Sequence, residues 1–280
     1  MKKIYLLLLC VLAAGVLDAQ NVKEVLLLHT NDTHSRIEPF HEHYADTMLA
    51  GKAGVLRRAN FIAEQRKNHK NVLLFDSGDF CQGTPYFNMY KGEVEVKLMN
   101  LMGYDAATIG NHEFDFGLEN MARLFKMADF PIVCANYDVA GTVLEGLVKE
   151  YVVLERDGLR IGVFGLSPKM AGLVPKAKFG DLKMEDPVAE GQRIADLLRN
   201  EEHCDLVVCL SHLGWKTDGY NDVELITHTR NIDVVCGGHS HTYFEAPKTL
   251  KNLDGKDVYV SQMGKHGAFV GYMNIELKKN

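Results

Sequence analysis

Residues 25–34 read VLLLHTNDTH. The four apolar residues at 25–28 make a run that suits a strand buried on both faces. The run then breaks into histidine, asparagine and aspartate. That break decides the reading, because in α/β folds ligands gather at the carboxyl ends of strands. The same design recurs four more times. Leu73-Leu74-Phe75 runs into Asp76-Ser77-Gly78-Asp79, and Ala107-Thr108-Ile109 into Gly110-Asn111-His112-Glu113-Phe114-Asp115. Val207-Val208-Cys209-Leu210 runs into Ser211-His212-Leu213-Gly214, and Val234-Val235-Cys236 into Gly237-Gly238-His239-Ser240-His241. Five such ends converging would build one metal site.

Working outward, strand-like runs alternate with helical patterns. Strands are expected at 25–29, 72–75, 106–109, 132–134, 206–210 and 232–235. Helices are expected at 54–68, 93–102, 118–127, 187–200 and near 222–229. In the first helix Val55, Ala59, Ile62 and Ala63 would share the apolar face. Pro187 opens the fourth helix, where its missing N–H costs nothing. Strands at 151–154 and 160–165 flank Arg156-Asp157-Gly158, a hairpin signal. Runs at 258–262 and 268–277 would close the fold as a strand pair. The rhythm implies an α/β fold with sheet layers covered by helices, and the hairpins predict mixed sheets. No repeat or linker marks a domain boundary after residue 20.

The chain has 280 residues, 46% of them hydrophobic, and a formal net charge of −6. That is room for a full-sized core and excludes wholesale disorder. The acidic balance argues against a partner that is a nucleic-acid polymer, whose phosphate backbone wants a basic surface. Residues 1–19 read as a signal peptide: Lys2 and Lys3 precede an apolar run at 4–17, too short to span a bilayer comfortably, with a cleavage signal before Gln20. An exported protein, periplasmic or secreted, is expected, with no membrane span after signal removal. Beyond Cys10 in that leader, Cys81, Cys134, Cys204, Cys209 and Cys236 are an odd set without a CxxC pair. They read as small buried hydrophobes with at most one incidental bridge.

Asp32 and His34 are two apart, as are His239 and His241, so in extended backbone each pair points to one side. Asp79 offers a carboxylate, Asn111 an amide oxygen and His212 an imidazole. Such oxygen and nitrogen donors without thiolate suit Mn, Zn, Fe or Co without choosing among them. Each residue alone reads as an ordinary turn or cap; the combination at five strand ends favours metal.

HTNDTH (29–34), DSGD (76–79), GNHEFD (110–115), SHLG (211–214) and GGHSHT (237–242), with QMGKHGAFVG (262–271), resemble the calcineurin-like metallophosphoesterases. The resemblance runs from about Val25 to Leu277 and is nearest to the 5′-nucleotidase branch, with its UDP-sugar hydrolases and 2′,3′-cyclic-nucleotide phosphodiesterases. It implies a four-layer α/β/β/α sandwich with two mixed sheets, and two divalent metal ions as cofactors. Asp32, His34, Asp79 and His241 would hold the first ion. Asp79, Asn111, His212 and His239 would hold the second, with Asp79 bridging. The branch often carries an amide at the place of His241. His112 would be the catalytic histidine, stabilising the transferring phosphoryl group or protonating the leaving oxygen, and Asp115 would orient it. The implied activity is phosphomonoester hydrolysis by in-line attack of a metal-activated water, on nucleotides or related compounds. Two such ions outweigh two aspartates and a hydroxide, so the site attracts a phosphate dianion even in an acidic protein.

His29, His69, His203, His228 and His266 read as structural or surface residues, and His41-Glu42-His43 as a solvated loop. Asp115 also suits the start of the helix at 118–127. Trp215 reads equally as cleft lining or packing, Phe80, Tyr86 and Phe87 receive no base-stacking role, and Lys176, Lys178 and Lys183 form a solvated face. Residues 20–280 are taken as one catalytic domain without the substrate domain of two-domain members. The alternatives are therefore a catalytic subunit whose substrate domain comes from a separate partner, or the same core acting on cyclic nucleotides, UDP-sugars or sulfur esters.

Overall fold

The computed structural model describes residues 22–278; the leader proposed at 1–19 lies outside the described residues. In chain order the strands are β1 (Val22–Thr30), β2 (Val72–Asp76), β3 (Ala106–Ala107), β4 (Ile132–Val133), β5 (Tyr137–Asp138), β6 (Val148–Lys149), β7 (Tyr151–Arg156), β8 (Leu159–Leu166), β9 (Lys183–Met184), β10 (Leu206–Ser211), β11 (Val234–Gly237), β12 (Lys248–Lys251), β13 (Asp257–Ser261) and β14 (Gly271–Lys278). The helices are α1 (Val55–Asn68), α2 (Pro85–Tyr90), α3 (Glu93–Met102), α4 (Leu118–Phe125), α5 (Lys176–Phe179), α6 (Pro187–Asn200) and α7 (Asp222–His228), with a 3-10 turn at His112–Phe116.

Two six-stranded sheets form, in the spatial orders β14-β1-β2-β3-β4-β6 and β12-β13-β11-β10-β8-β7, beside a small β5-β9 pair. In the first sheet β1, β2, β3, β4 and β6 run parallel and β14 joins antiparallel. In the second, β8, β10, β11 and β13 run parallel between antiparallel edges β7 and β12. Both sheets are mixed, as the hairpins predicted.

Strand alternation sorts the side chains into three cores, and three cores between planar elements mean four layers. Leu26, Leu28 and Leu74 face outward onto Val55, Ile62, Val96, Met99, Met121 and Leu124 of α1, α3 and α4. Val25, Leu27, Leu73 and Phe75 face inward, where they meet Ile161, Val163, Val208 and Leu210 of the second sheet. On that sheet's far side Phe164, Val207 and Cys209 pack on Ile194, Leu198 and Leu225 of α6 and α7. This is the expected α/β/β/α sandwich.

Two local expectations are corrected. The runs at 258–262 and 268–277 do not pair: β13 joins β11 and β12 in one sheet, and β14 joins β1 in the other. The antiparallel partner of β13 is β12, whose KTLK sequence is exposed and carries too little apolar signal to be seen. In α1 the buried positions are Val55, Arg58 and Ile62, with Ala59 half-buried; Ala63 is exposed. The hairpin is as expected, with Asp157 (φ 52°) and Gly158 (φ 76°) between the paired Arg156 and Leu159, the two positive φ values of a type I′ turn. All five described cysteines are buried and free.

Candidate metal centre

The five polar bursts meet where the parallel strands of both sheets end. Asp32 and His34 follow β1, Asp79 follows β2, His212 follows β10, and His239 and His241 follow β11. Ser77 ties the two sheets together here. Its hydroxyl donates to the Cys236 carbonyl at 2.7 Å, and its own carbonyl lies 2.6 Å from His212 Nδ1. That contact fixes the His212 ring and leaves Nε2 facing the site.

Two groups of three donors result, each with atoms within 4.8 Å of one another: Asp32, His34 and His241, and Asp79, His212 and His239. The groups touch. Asp32 Oδ1 lies 3.3 Å from His241 Nε2 and 3.9 Å from both His34 Nε2 and His212 Nε2. Asp79 Oδ2 lies 3.2 Å from His212 Nε2, and Asp79 Oδ1 accepts from the His112 backbone N–H at 2.8 Å. Asn111, next to His112, turns its Oδ1 into a buried position. His112 Nδ1 lies 3.1 and 3.2 Å from the two carboxylate oxygens of Asp115, and its ring stands edge-on to His34 with centroids 5.4 Å apart. The expected histidines and aspartates are therefore in one cluster, with Asn111 next to His112 in the chain.

The donor set fits divalent metal on three observations. Asn111 Oδ1 is buried without a hydrogen-bond partner, a costly state for a polar atom, and buried His212 Nε2 makes no hydrogen bond although Asp79 Oδ2 lies 3.2 Å away. His34 Nε2 and His241 Nε2 face each other at 3.0 Å, an arrangement two imidazoles hold more naturally around a cation. Five of the seven candidate ligands also have left-handed backbone: Asp32, His34, Asp79, His239 and His241, with φ between 46° and 67°. Backbone strain of this kind clusters at functional sites. It breaks the strict two-residue alternation used to pair Asp32 with His34 and His239 with His241. The second of these pairs separates in space, since His239 belongs to one group and His241 to the other.

Electrostatics divides the histidines. Burial works against a charged His212, but Asp79 and Asp32 outweigh it and push the ring up to about 10. Burial also opposes ionisation of Asp79, yet His212, with help from His34 and His112, holds that carboxyl well below its usual range. His239 is pushed down to about 4 by burial and the neighbouring His212, and His34 is lowered chiefly by burial. For His112 burial is again opposed, here by Asp115 and Asp79, and the ring rises to about 8.

Several residues that hold this geometry carried no assignment from sequence. Glu113 is buried within GNHEFD, and its carboxylate accepts from the backbone N–H groups of Asp79 (3.0 Å), Gly110 (2.6 Å) and Cys81 (3.1 Å). It clamps the β2 loop to the Asn111 loop. A second carboxylate inside the motif, beside the His112–Asp115 pair and without a role of its own there, is the signal that could have found it. Asn31 donates to Asp32 Oδ2 at 2.7 Å and to the Gly264 carbonyl at 2.8 Å, and accepts from the Met263 N–H. Gln262 donates to the Gly238 carbonyl at 2.6 Å and accepts from Ser240 Oγ at 2.9 Å. These two explain the QMGKHG run: it closes the site from behind. Gly110 is required because a Cβ there would collide with Asp79 Oδ1.

The chain matches the profile of the calcineurin-like phosphoesterases over residues 25–243. It belongs to that family. It is 34% identical over 289 residues to human 5′-nucleotidase, covering 96% of this chain and 49% of that protein. Among solved structures it resembles NAD nucleotidase of Haemophilus influenzae, with a TM-score of 0.81 and 28% identity over 91% of this chain and 53% of the other. A 5′-nucleotidase precursor of Thermus thermophilus gives a TM-score of 0.80 and 31% identity, over 91% of this chain and 54% of that one. This calcineurin-like phosphoesterase thus spans about half the length of the relatives it matches. It is a metal-dependent phosphoester hydrolase by family, and its two donor groups are where divalent ions would sit.

The remaining expectations fall either side of the site. Trp215 packs edge-on against Phe244 at 5.1 Å, so packing is its observed role. Phe80 and Phe87 are core residues, and half-buried Tyr86 donates to Glu38. His29 is buried beneath Gly271, where a Cβ would strike its ring. His266 takes the structural side of its reading: it is half-buried 5.8 Å from His34, and its backbone N–H donates to the Asp32 carbonyl at 2.7 Å. Among the described residues, no helix is long and apolar enough to cross a membrane.

Proposed function

We propose that this phosphoesterase hydrolyses nucleotide phosphomonoesters in the manner of a 5′-nucleotidase. The observation that carries the reading is the His112–Asp115 pair standing beside two complete, mutually touching donor groups. Asp32, His34 and His241 would hold one ion, and Asp79, Asn111, His212 and His239 the other, with Asp79 proposed to bridge. The chemistry such ions supply is Lewis-acid polarisation and charge neutralisation at a phosphoryl group. The protein's own part is then to orient and to move a proton. Asp115 fixes His112 through Nδ1, which leaves Nε2 to meet a phosphoryl oxygen or to protonate the leaving oxygen. The backbone N–H of His112, bonded to Asp79 Oδ1, couples the position of the catalytic ring to the metal-holding carboxylate.

Nucleotide specificity rests on the relatives alone, and they extend to about twice the matched length. A second reading follows: base recognition comes from a separate substrate-binding protein or from sequence beyond residues 1–280. Export, to the periplasm or the outside, is proposed on Lys2, Lys3 and the apolar run at 4–17.

The test is hydrolysis by purified protein reconstituted with Mn, Zn, Fe or Co, assayed on an aryl phosphate and on panels of nucleotides, cyclic nucleotides, UDP-sugars and sulfur esters. Turnover of 5′-nucleotides above the other classes is expected. No turnover of any phosphomonoester, with both donor groups shown to be loaded, would overturn the reading. Turnover of the aryl phosphate with negligible nucleotide affinity would favour a separate specificity partner.

A further inference from the structure

The face of α3 that packs into the core carries Glu95 beside Val96, Met99 and Met102. A carboxyl in that company is costly unless it holds something. Glu95 is 5% exposed, and only one of its side-chain oxygens is engaged. Oε1 accepts from the Ser35 hydroxyl, whereas Oε2 is buried without a hydrogen-bond partner. Ser35 directly follows His34, and the two are consecutive left-handed residues, with φ of 46° at His34 and 52° at Ser35. Two such residues in a row, neither a glycine, persist only where the surroundings hold them. Most of that hold comes from the chain after β2. The His34 and Ser35 N–H groups donate to the Asp79 and Phe80 carbonyls, both at 3.0 Å. Gly83 lies so near that a Cβ there would come within 2.7 Å of the His34 carbonyl oxygen. Thr84 stands at the N-cap of α2, where a threonine ordinarily caps its helix, yet its side chain makes no cap bond. Its hydroxyl donates instead to the Ser35 carbonyl at 2.9 Å and lies 2.7 Å from Ser35 Oγ.

We propose that Glu95 is a positioning residue: through Ser35 it holds the left-handed turn that presents the His34 ring to Asp32 and His241. The inference rests on the reading that Asp32, His34 and His241 hold an ion. Within that group Asp32 and His34 are buried and His241 is exposed, so its geometry depends on where the turn after β1 places His34. The other group has supports of its own. Glu113 holds the Asp79 N–H at 3.0 Å, and the Ser77 carbonyl lies 2.6 Å from His212 Nδ1. Losing the Glu95 contact should therefore weaken one ion and spare the other. The size expected for a hydrogen bond that orients a ligand is about 10–100-fold in metal affinity.

The test is titration of Zn into the metal-free full chain, in competition with a chelator, beside the unfolding midpoint of the metal-free protein. The variants are Glu95→Leu, Glu95→Gln, Ser35→Ala and the double Ser35→Ala/Glu95→Leu, with His241→Ala marking which ion belongs to the His34 group. Glu95→Leu should weaken that ion by about 10–100-fold and leave the other unchanged. Its metal-free midpoint should not fall, because leucine removes a buried oxygen that had no partner. Glu95→Gln keeps an acceptor for the Ser35 hydroxyl and should bind as the unaltered protein does. Ser35→Ala should match Glu95→Leu, and the double variant should be no worse than either, as expected of two residues acting through one contact. Two ions bound with unaltered affinity in folded Glu95→Leu, or both weakened alike, would overturn this inference alone. Should Glu95→Leu fail to fold, Ser35→Ala breaks the same contact from the other side, and unaltered affinity there overturns the inference equally. Failure of the unaltered protein to bind a His241-dependent ion would overturn the metal reading beneath it, and the inference with it.

Discussion

The two donor groups are built alike from strand ends, but they are not equivalent. Asp79, His212 and His239 form a closed group: Asp79 and His212 are buried, His212 follows its strand without an intervening residue, and its ring is pinned by the Ser77 carbonyl. Asp32, His34 and His241 form an open group, because His241 is exposed and stands four residues beyond β11. The charge state differs too. The closed group holds an ionised Asp79 against a His212 raised to about 10, whereas His34 in the open group is lowered by burial. The lesson is that one ligand chemistry, placed at two depths, should give one tight ion and one exchangeable ion.

The largest expected effect breaks the closed group. Asp79→Ala should lose its ion and reduce turnover by at least about 10²-fold, since the charge stabilisation at stake is several kcal/mol. In metal-free protein it should also remove the main group that keeps the buried His212 ring charged, so that ring loses its proton more readily and the fold is destabilised. Metal analysis and chemical denaturation check the two effects separately. His112→Ala comes next: both ions should stay and turnover should fall by roughly 10²–10⁴-fold. Full activity in that variant would remove His112 from the catalytic role.

A smaller effect sharpens the contrast itself. His241→Ala should empty the open group first and leave the closed one loaded, and stepwise chelation of unaltered protein should follow the same order. If the closed group empties first, depth does not set the affinity.

The smallest effect concerns the pair between them. His112 is raised from 6.5 to about 8, so in metal-free protein its ion pair with Asp115 stabilises the fold fully below pH 6.5 and loses that contribution as pH rises through about 8. Unfolding midpoints of metal-free Asp115→Asn should therefore lie below those of the unaltered protein at about pH 6 and converge with them above about pH 8. A difference that does not change with pH would show that the pair carries no linked proton.

Much of this was legible in sequence. Apolar runs broken by polar bursts picked out the seven candidate ligands, because ligand chemistry needs particular side chains and strand ends need apolar residues before them; the family resemblance added the His112–Asp115 pair. Helices α3 and α6 were read to the residue, through clear periodicity and the Pro187 start. What escaped were short or solvated elements such as β12 and β6, whose partners supply their stability. The buried supports escaped as well. Glu113, Asn31 and Gln262 are polar residues whose value lies in backbone groups far along the chain, and no local pattern reveals such a partner.

By itself, then, the sequence determined the chemical inventory: which donors exist, that they follow strands, and that thiolate is not among them. The tertiary structure decided how the inventory is divided. Asp32 and His241 are far apart in the chain yet 3.3 Å apart in space, while His239, two residues from His241, belongs to the other group. The reason is geometric. Left-handed backbone at five ligand positions turns side chains away from the simple strand alternation, and two sheets closing on one edge choose which of them meet.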